Sequence, residues 1–194
     1  MNGLPFYVGI GFRHITNLAA LDHLLFLVAL VAPYRLRDWR QLLLVATAFT
    51  VGHSLTLALV LTRLITLPTP VIEFLIPVTI VAAALENLRH IDAPRIGWRR
   101  AVLAGSFGLI HGAGFANFLR TLFVGPIALP LVSFNIGIEL GQLVIITTAL
   151  LLFAAADRIV SIRLPGRARR YRATAASLVV AAWALTMAAE RLPW

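Results

Sequence analysis

Gln41-LLLVATAFTVG-His53-SLTLALVL-Thr62 is the stretch whose reading decides the fold. It is apolar for nearly its whole length, carries no formal charge, and holds a histidine near its middle. A helix that crosses a bilayer needs about 20 such residues. Working outward, the same pattern predicts helices over about 8–32, 41–62, 70–88, 100–123, 129–156 and 173–191. Pro33 closes the first, and Gly125 and Pro126 end the fourth. The chain has 194 residues, 60% hydrophobic and 13% charged, with mean hydropathy +0.89. Soluble domains carry roughly a quarter charged residues. The expected fold is an all-α membrane protein: a six-transmembrane-helix bundle with a polar metal-binding core, residues 1–194 forming one integral membrane domain.

The charges fix an expected orientation. The net charge is +9, and all 17 basic residues are arginine. The first loop holds Arg35, Arg37 and Arg40. The third holds Arg89, Arg95, Arg99 and Arg100. The fifth holds Arg158, Arg163, Arg167, Arg169, Arg170 and Arg172. The even loops have only Arg63 and, just before one of them, Arg120. Arginine-rich loops stay in the cytoplasm, so both termini are expected outside. The arginines are read as topology signals and lipid-headgroup contacts, not as a nucleic-acid surface. The absence of cysteine excludes disulfides, thiolate metal sites and cysteine nucleophiles. The first apolar stretch begins almost at once and runs long, so it reads as a span and not as a cleaved leader.

Ionisable groups within hydrocarbon are costly and usually functional. His14, His23, His53 and His111, with Asp22 and Glu139, all fall inside predicted spans. Counted from the outer face at about 1.5 Å per residue, most of them share one layer between that face and the midplane. Imidazole with carboxylate is a ligand set for nickel, zinc and related ions. Asn135, Glu139 and Gln142 follow i, i+4, i+7 spacing and share a helix face, as do Thr47, Thr50 and Ser54 at i, i+3, i+7. On one unbroken helix His14 and His23 point in nearly opposite directions, so at most one of them is expected in the central site. Asp22 is read as ligand, proton relay or orienting group. Glu86 and Asn87 sit deeper, as a secondary path together with Asn135 and Gln142. Gly108 and Gly112 form a G-x-x-x-G pattern that permits close helix packing and leaves room beside His111. Glu73, Glu190 and His90 are expected in solvent, Arg13 at the outer interface, and Asn117 in an interhelical hydrogen bond. Phe49-x-x-x-His53 and Phe107-x-x-x-His111 share too little to define an internal repeat.

Six blocks occur in order: Gly11-Phe-Arg-His14-Ile, Leu21-Asp22-His23-Leu-Leu-Phe-Leu, Phe49-Thr-Val-Gly-His53-Ser-Leu-Thr-Leu, Leu85-Glu86-Asn87, Phe107-Gly-Leu-Ile-His111-Gly-Ala-Gly-Phe115-Ala and Phe134-Asn135-Ile-Gly-Ile-Glu139-Leu-Gly-Gln142-Leu. Over residues 9–143 the chain resembles the HupE/UreJ family, described as nickel permeases that accompany hydrogenase and urease systems. The resemblance implies a multi-pass protein of the bacterial inner membrane whose functional polar set is His14, Asp22, His23, His53, Glu86, His111 and Glu139. Metalloenzyme maturation proteins are then possible partners, beside the lipid bilayer and the metal ion.

The leading expectation is transport of a divalent transition metal, nickel first. The ion is held by His53, His111, one of His14 or His23, and Glu139, and leaves past Glu86 and Asn87. The alternative is an intramembrane zinc-dependent hydrolase acting on a lipid or peptide, with zinc as bound cofactor and Glu139 or Asp22 as catalytic base. A third class is a metal-binding sensor or assembly partner without turnover.

Overall fold

The computed structural model describes residues 3–18, 20–91, 97–122 and 126–193, with only the backbone of Asn117. Arg95, Phe123, Gly125 and the Asn117 side chain, each given a place above, lie outside these residues. The described chain is helical throughout: α1 Leu4–Thr16, α2 Leu21–Val31, a 3-10 turn Leu36–Asp38, α3 Trp39–Leu61, α4 Thr69–Arg89, α5 Trp98–Leu122, α6 Ala128–Ser161 and α7 Ala168–Glu190. Four helices, α3, α4, α6 and α7, are long and apolar enough to cross a membrane. The pair α1 and α2 meets the same test only if counted together across a bend of 70°. In α5, glycine, serine and histidine dilute the apolar residues and Arg99, Arg100 and Arg120 add charge, so its length is that of a span but its composition is not. Leucine and valine side chains such as Leu44, Val51, Val102, Leu140, Val144, Leu152 and Val179 are exposed on the outside of the bundle, as lipid contact requires.

The predicted first helix, 8–32, is corrected to two helices. No glycine or proline lies between Gly11 and Pro33, so local propensity supplies no breaker. The Asn17 N–H makes the last helical bond of α1, to Arg13 O, and the chain then turns through a bond from the Ala20 N–H to Asn17 O. The cause of the break is the packing on either side. α1 lies along α6, while α2 packs among α4, α6 and α7. Two further boundaries shift: the fifth predicted helix runs on to Ser161, and the last begins at Ala168.

Two helix pairs share one manner of packing. A Cβ on Gly52 of α3 would strike the Gly105 carbonyl of α5, one on Gly108 would strike Phe49 O, and one on Gly112 would strike His53 O. A Cβ on Gly11 of α1 would strike Phe134 O of α6, and one on Gly137 would strike Val8 O. Gly105, Gly108 and Gly112 of α5 meet Ala48, Phe49 and His53 in turn, and Gly137 and Gly141 of α6 meet Val8 and then Phe12 and Ile15, so α3 runs parallel to α5 and α1 parallel to α6. Close backbone approach through small residues is how helices associate where water supplies no driving force. It also sets the depth of His53 against His111, and of His14 against Phe134.

Candidate metal centre

α1 carries His14 in its last turn, and α2 carries Asp22 and His23 in its first. Had the two formed one rod, these imidazoles would point apart. Bent at the break, they face each other with ring centroids 4.5 Å apart. The expectation that only one of them joins the centre is therefore corrected. His53 from the middle of α3 completes a trio: ligand nitrogens of His14, His23 and His53 lie within 4.8 Å of one another. His111 from α5 stands beside them, its ring 5.5 Å from that of His23.

The nitrogens are buried and largely unpaired. His14 Nε2, both nitrogens of His23, both of His53, and His111 Nδ1 have no protein hydrogen-bond partner. Leaving one such group unpaired costs on the order of 1–3 kcal/mol. A cluster of them is a poor structural core and a good ligand set. Metal–imidazole bonds are about 2.0–2.1 Å, so neighbouring ligands on one ion stand roughly 2.9–3.4 Å apart. The widest pair of the trio, no more than 4.8 Å apart, would need to close by up to roughly 1.4–1.9 Å.

Aromatic rings and one hydroxyl hold the imidazoles in place. Phe115 lies over His14 at 3.7 Å between centroids, and Phe49 stands edge-on to His111 at 5.2 Å. Thr79 Oγ1 lies 3.0 Å from His111 Nε2; the same hydroxyl lies 2.7 Å from Ile76 O, to which it donates. It therefore offers a lone pair to a protonated Nε2, leaving Nδ1 as the His111 nitrogen with a free lone pair. Sequence reasoning missed Thr79 and Phe115. An i−3 hydroxyl near Pro77 was the available signal for the threonine.

A cavity of about 620 Å³ leads to this cluster. It is lined by His14, His23 and His111 at depth and by Arg13, Asp22, Glu73 and Arg191 toward its mouth. Glu73 is exposed, as expected, and also lines this entrance. Asp22 is not beside the trio as a ligand: both its oxygens contact Arg191 Nη1, at 3.2 and 3.3 Å. That pairing links the end of α7 to the start of α2, and a carboxylate suits a helix N-terminus.

Glu139 is also apart from the imidazoles. Its Oε2 accepts from Thr47 Oγ1 at 3.4 Å, and it lines a different cavity, between α3 and α6, which shares no residue with the first. Asn135 lines that second cavity too, while Gln142 is buried and takes the Thr50 hydroxyl at 3.1 Å. The i, i+4, i+7 face read from sequence is real, but it turns toward α3 and not toward the histidines.

The secondary path past Glu86 and Asn87 is filled. Arg100 Nη1 meets Glu86 Oε2 at 2.7 Å and its Nη2 meets Asn87 Oδ1 at 2.7 Å. Asn87 Nδ2 donates to Ala29 O at 2.7 Å and to Ser177 Oγ at 3.2 Å. Arg172 donates to Asp157 at 2.9 Å, to Ala32 O at 2.6 Å and to Tyr34 O at 3.1 Å. Two arginines assigned to loops thus reach in and clasp the end of α2, whose last carbonyls lack helical partners. His90, expected free in solvent, is half-buried, with Nδ1 donating to Glu86 O at 3.0 Å.

Among known proteins, a family model described as HupE / UreJ protein matches residues 2–191. No curated protein and no solved structure matches the chain.

Proposed function

The chain belongs to the HupE/UreJ family, and from that premise, which makes it a multi-pass membrane protein of metal-transporter type, we propose that it carries a divalent transition metal, nickel first, across the bacterial inner membrane. The single observation that carries the reading is the set of buried, unpaired imidazole nitrogens at the foot of a cavity open at one end. Six crossings, with α1 and α2 as one broken span and α5 as another, agree with the parallel runs of α3 with α5 and α1 with α6. With arginine-rich ends inside and both termini outside, the cavity opens to the exterior.

Asp22 at the mouth is neutralised by Arg191, which leaves the Glu73 carboxylate to receive a cation, and the ion sheds water as it reaches His14, His23 and His111. His53, fully buried behind them, completes the coordination. Neutral imidazoles select a transition metal over magnesium or calcium, which prefer oxygen. They also release it more readily than thiolates would, as transport requires. The clasp of Arg100 on Glu86 and Asn87 closes the inner side and sets a positive charge in the way. Release to the cytoplasm needs that clasp to open. A hydrolase would need a free carboxylate beside the imidazoles; Asp22 is taken by Arg191 and Glu139 faces another cavity, so no observation favours that reading.

The test is nickel binding and uptake with purified, reconstituted protein and its His53→Ala and His111→Ala variants. Reversible binding of about one nickel per chain, with uptake into vesicles and loss of both in the variants, is the expected result. Tightly held zinc that resists chelation, without uptake, would overturn transport.

A further inference from the structure

Glu139 is left without a role by the metal centre, and its surroundings differ in kind from it. An open groove of about 620 Å³ between α3 and α6 has Thr50, Ser54, Asn135 and Glu139 along it and the exposed apolar side chains of Val51, Leu55, Val132, Ile136 and Leu140 at its rim. Among the described residues, no cation pairs with Glu139. A lone carboxylate in such a setting is costly unless something neutralises it.

The neighbouring polar groups present oxygen lone pairs. The Ser54 hydroxyl donates to Thr50 O at 2.6 Å, and the Thr50 hydroxyl donates to Gln142 Oε1 at 3.1 Å. With their protons committed, those hydroxyls have only lone pairs to offer the cavity. Asn135 Oδ1, one turn above Glu139 on α6, is buried and has no partner. Thr47 Oγ1 reaches Glu139 Oε2 across a long 3.4 Å. Nitrogen and sulfur ligands are absent from the lining, and the formal charge is a single minus. Hard oxygen donors suit alkali and alkaline-earth ions. One carboxylate neutralises a monovalent ion, whereas a divalent one would leave a net positive charge among apolar side chains.

We propose that Glu139, Asn135 and the hydroxyls of Thr47 and Thr50 form a second cation site, built of oxygen, that binds sodium. It lies on the same two helices that carry His53 and pack beside His14, so occupancy between α3 and α6 can bias how those helices sit around the metal. Its role as the ion that drives transport rests on the transport reading; sodium binding itself does not.

The experiment is modification of Glu139 by dicyclohexylcarbodiimide in the purified full-length protein, read by peptide mass spectrometry. Sodium chloride is titrated against choline chloride at constant pH and ionic strength. Sodium should protect Glu139, lowering its modification about tenfold at ten times the half-protecting concentration. Glu139→Gln should abolish modification at that position. Asn135→Ala should raise the half-protecting sodium concentration at least several-fold while leaving the carboxyl reactive. His53→Ala should keep full sodium protection even though nickel binding is lost, which separates failure of this site from failure of the metal centre. Modification that follows pH but ignores sodium would mean a proton carrier and overturn the proposal. So would equal protection by choline, or no modification under any condition.

Discussion

Neighbouring groups limit how the imidazoles of the candidate centre can turn. His111 shows this most directly: Thr79 occupies its Nε2 and leaves Nδ1 facing the cluster. Loss of such an outer partner commonly lowers metal affinity 10–100-fold. Thr79→Val should therefore weaken nickel binding by about that factor, measured by titration calorimetry, while the helical circular dichroism stays unchanged. An unchanged affinity would remove His111 from the ligand set. The residue types themselves were legible in the sequence. Four histidines within apolar spans have few structural explanations, and the structure gathers all four. The carboxylates were less legible. Asp22 and Glu139 were read as ligands because they share a depth with the histidines, yet depth says nothing about which neighbour a side chain meets. Asp22 meets Arg191, near the far end of the chain, and Glu139 meets Thr47.

Between helices, glycine decides how close the ligands come. Gly11 lets α1 rest on the backbone of α6 at Phe134, and Gly137 accepts α1 at Val8 from the other side. A methyl group at Gly11 would have to push backbone from backbone. Overpacking of this kind costs typically 1–3 kcal/mol. Gly11→Ala should lower thermal stability by about that amount and, by moving His14 outward, weaken metal binding as well. Gly9→Ala is the control, because nothing lies within 4 Å of the added Cβ. It should match wild type in both melting and nickel titration. Equal effects of the two substitutions would show that the α1–α6 contact does not position His14. The G-x-x-x-G pattern at Gly108 and Gly112 announced close packing in the sequence, but not its partner. The contact between α1 and α6 repeats that arrangement, with Gly137 and Gly141 of α6 spaced as G-x-x-x-G against Gly11 of α1, and the packed pairs show which helix each pattern meets.

Across the whole molecule, the end that carries Arg100 is closed by charge, while a cavity reaches the histidines near the ends that carry Asn17 and Arg191. Arg100 is buried against Glu86 and Asn87, and removing one partner of a buried pair costs about 3–5 kcal/mol. Arg100→Gln should lower the melting temperature markedly in detergent. In vesicles, whatever folded protein remains should leak nickel, since the inner barrier loses its charge. Retention of tight nickel gating would show that the clasp is structural only. Topology can be read without background labelling, because the chain has no cysteine. Arg37→Cys, on a side chain 77% exposed, should react with an impermeant maleimide only from the cytoplasmic side. Leu64→Cys, at 72% exposure, should react only from the outside. Reaction of both from one side would overturn the six crossings.

The sequence by itself determined that the chain is helical, that it belongs in a membrane, and that its unusual residues are imidazoles set within apolar segments. Those facts depend on composition and on runs about 20 residues long, which are local properties. The tertiary structure alone decided that α1 and α2 are two helices and not one. No residue between Asn17 and Ala20 demands a break; α6 on one side and α4 and α7 on the other hold the two halves at an angle. That bend brings His14 and His23 together edge to face, and the same packing sends Glu139 toward α3 and locks Glu86 beneath Arg100. Helical periodicity states which direction a side chain leaves its own axis. Which group it then meets depends on how the other axes are placed, and in a bundle those are set by contacts between residues far apart in the chain.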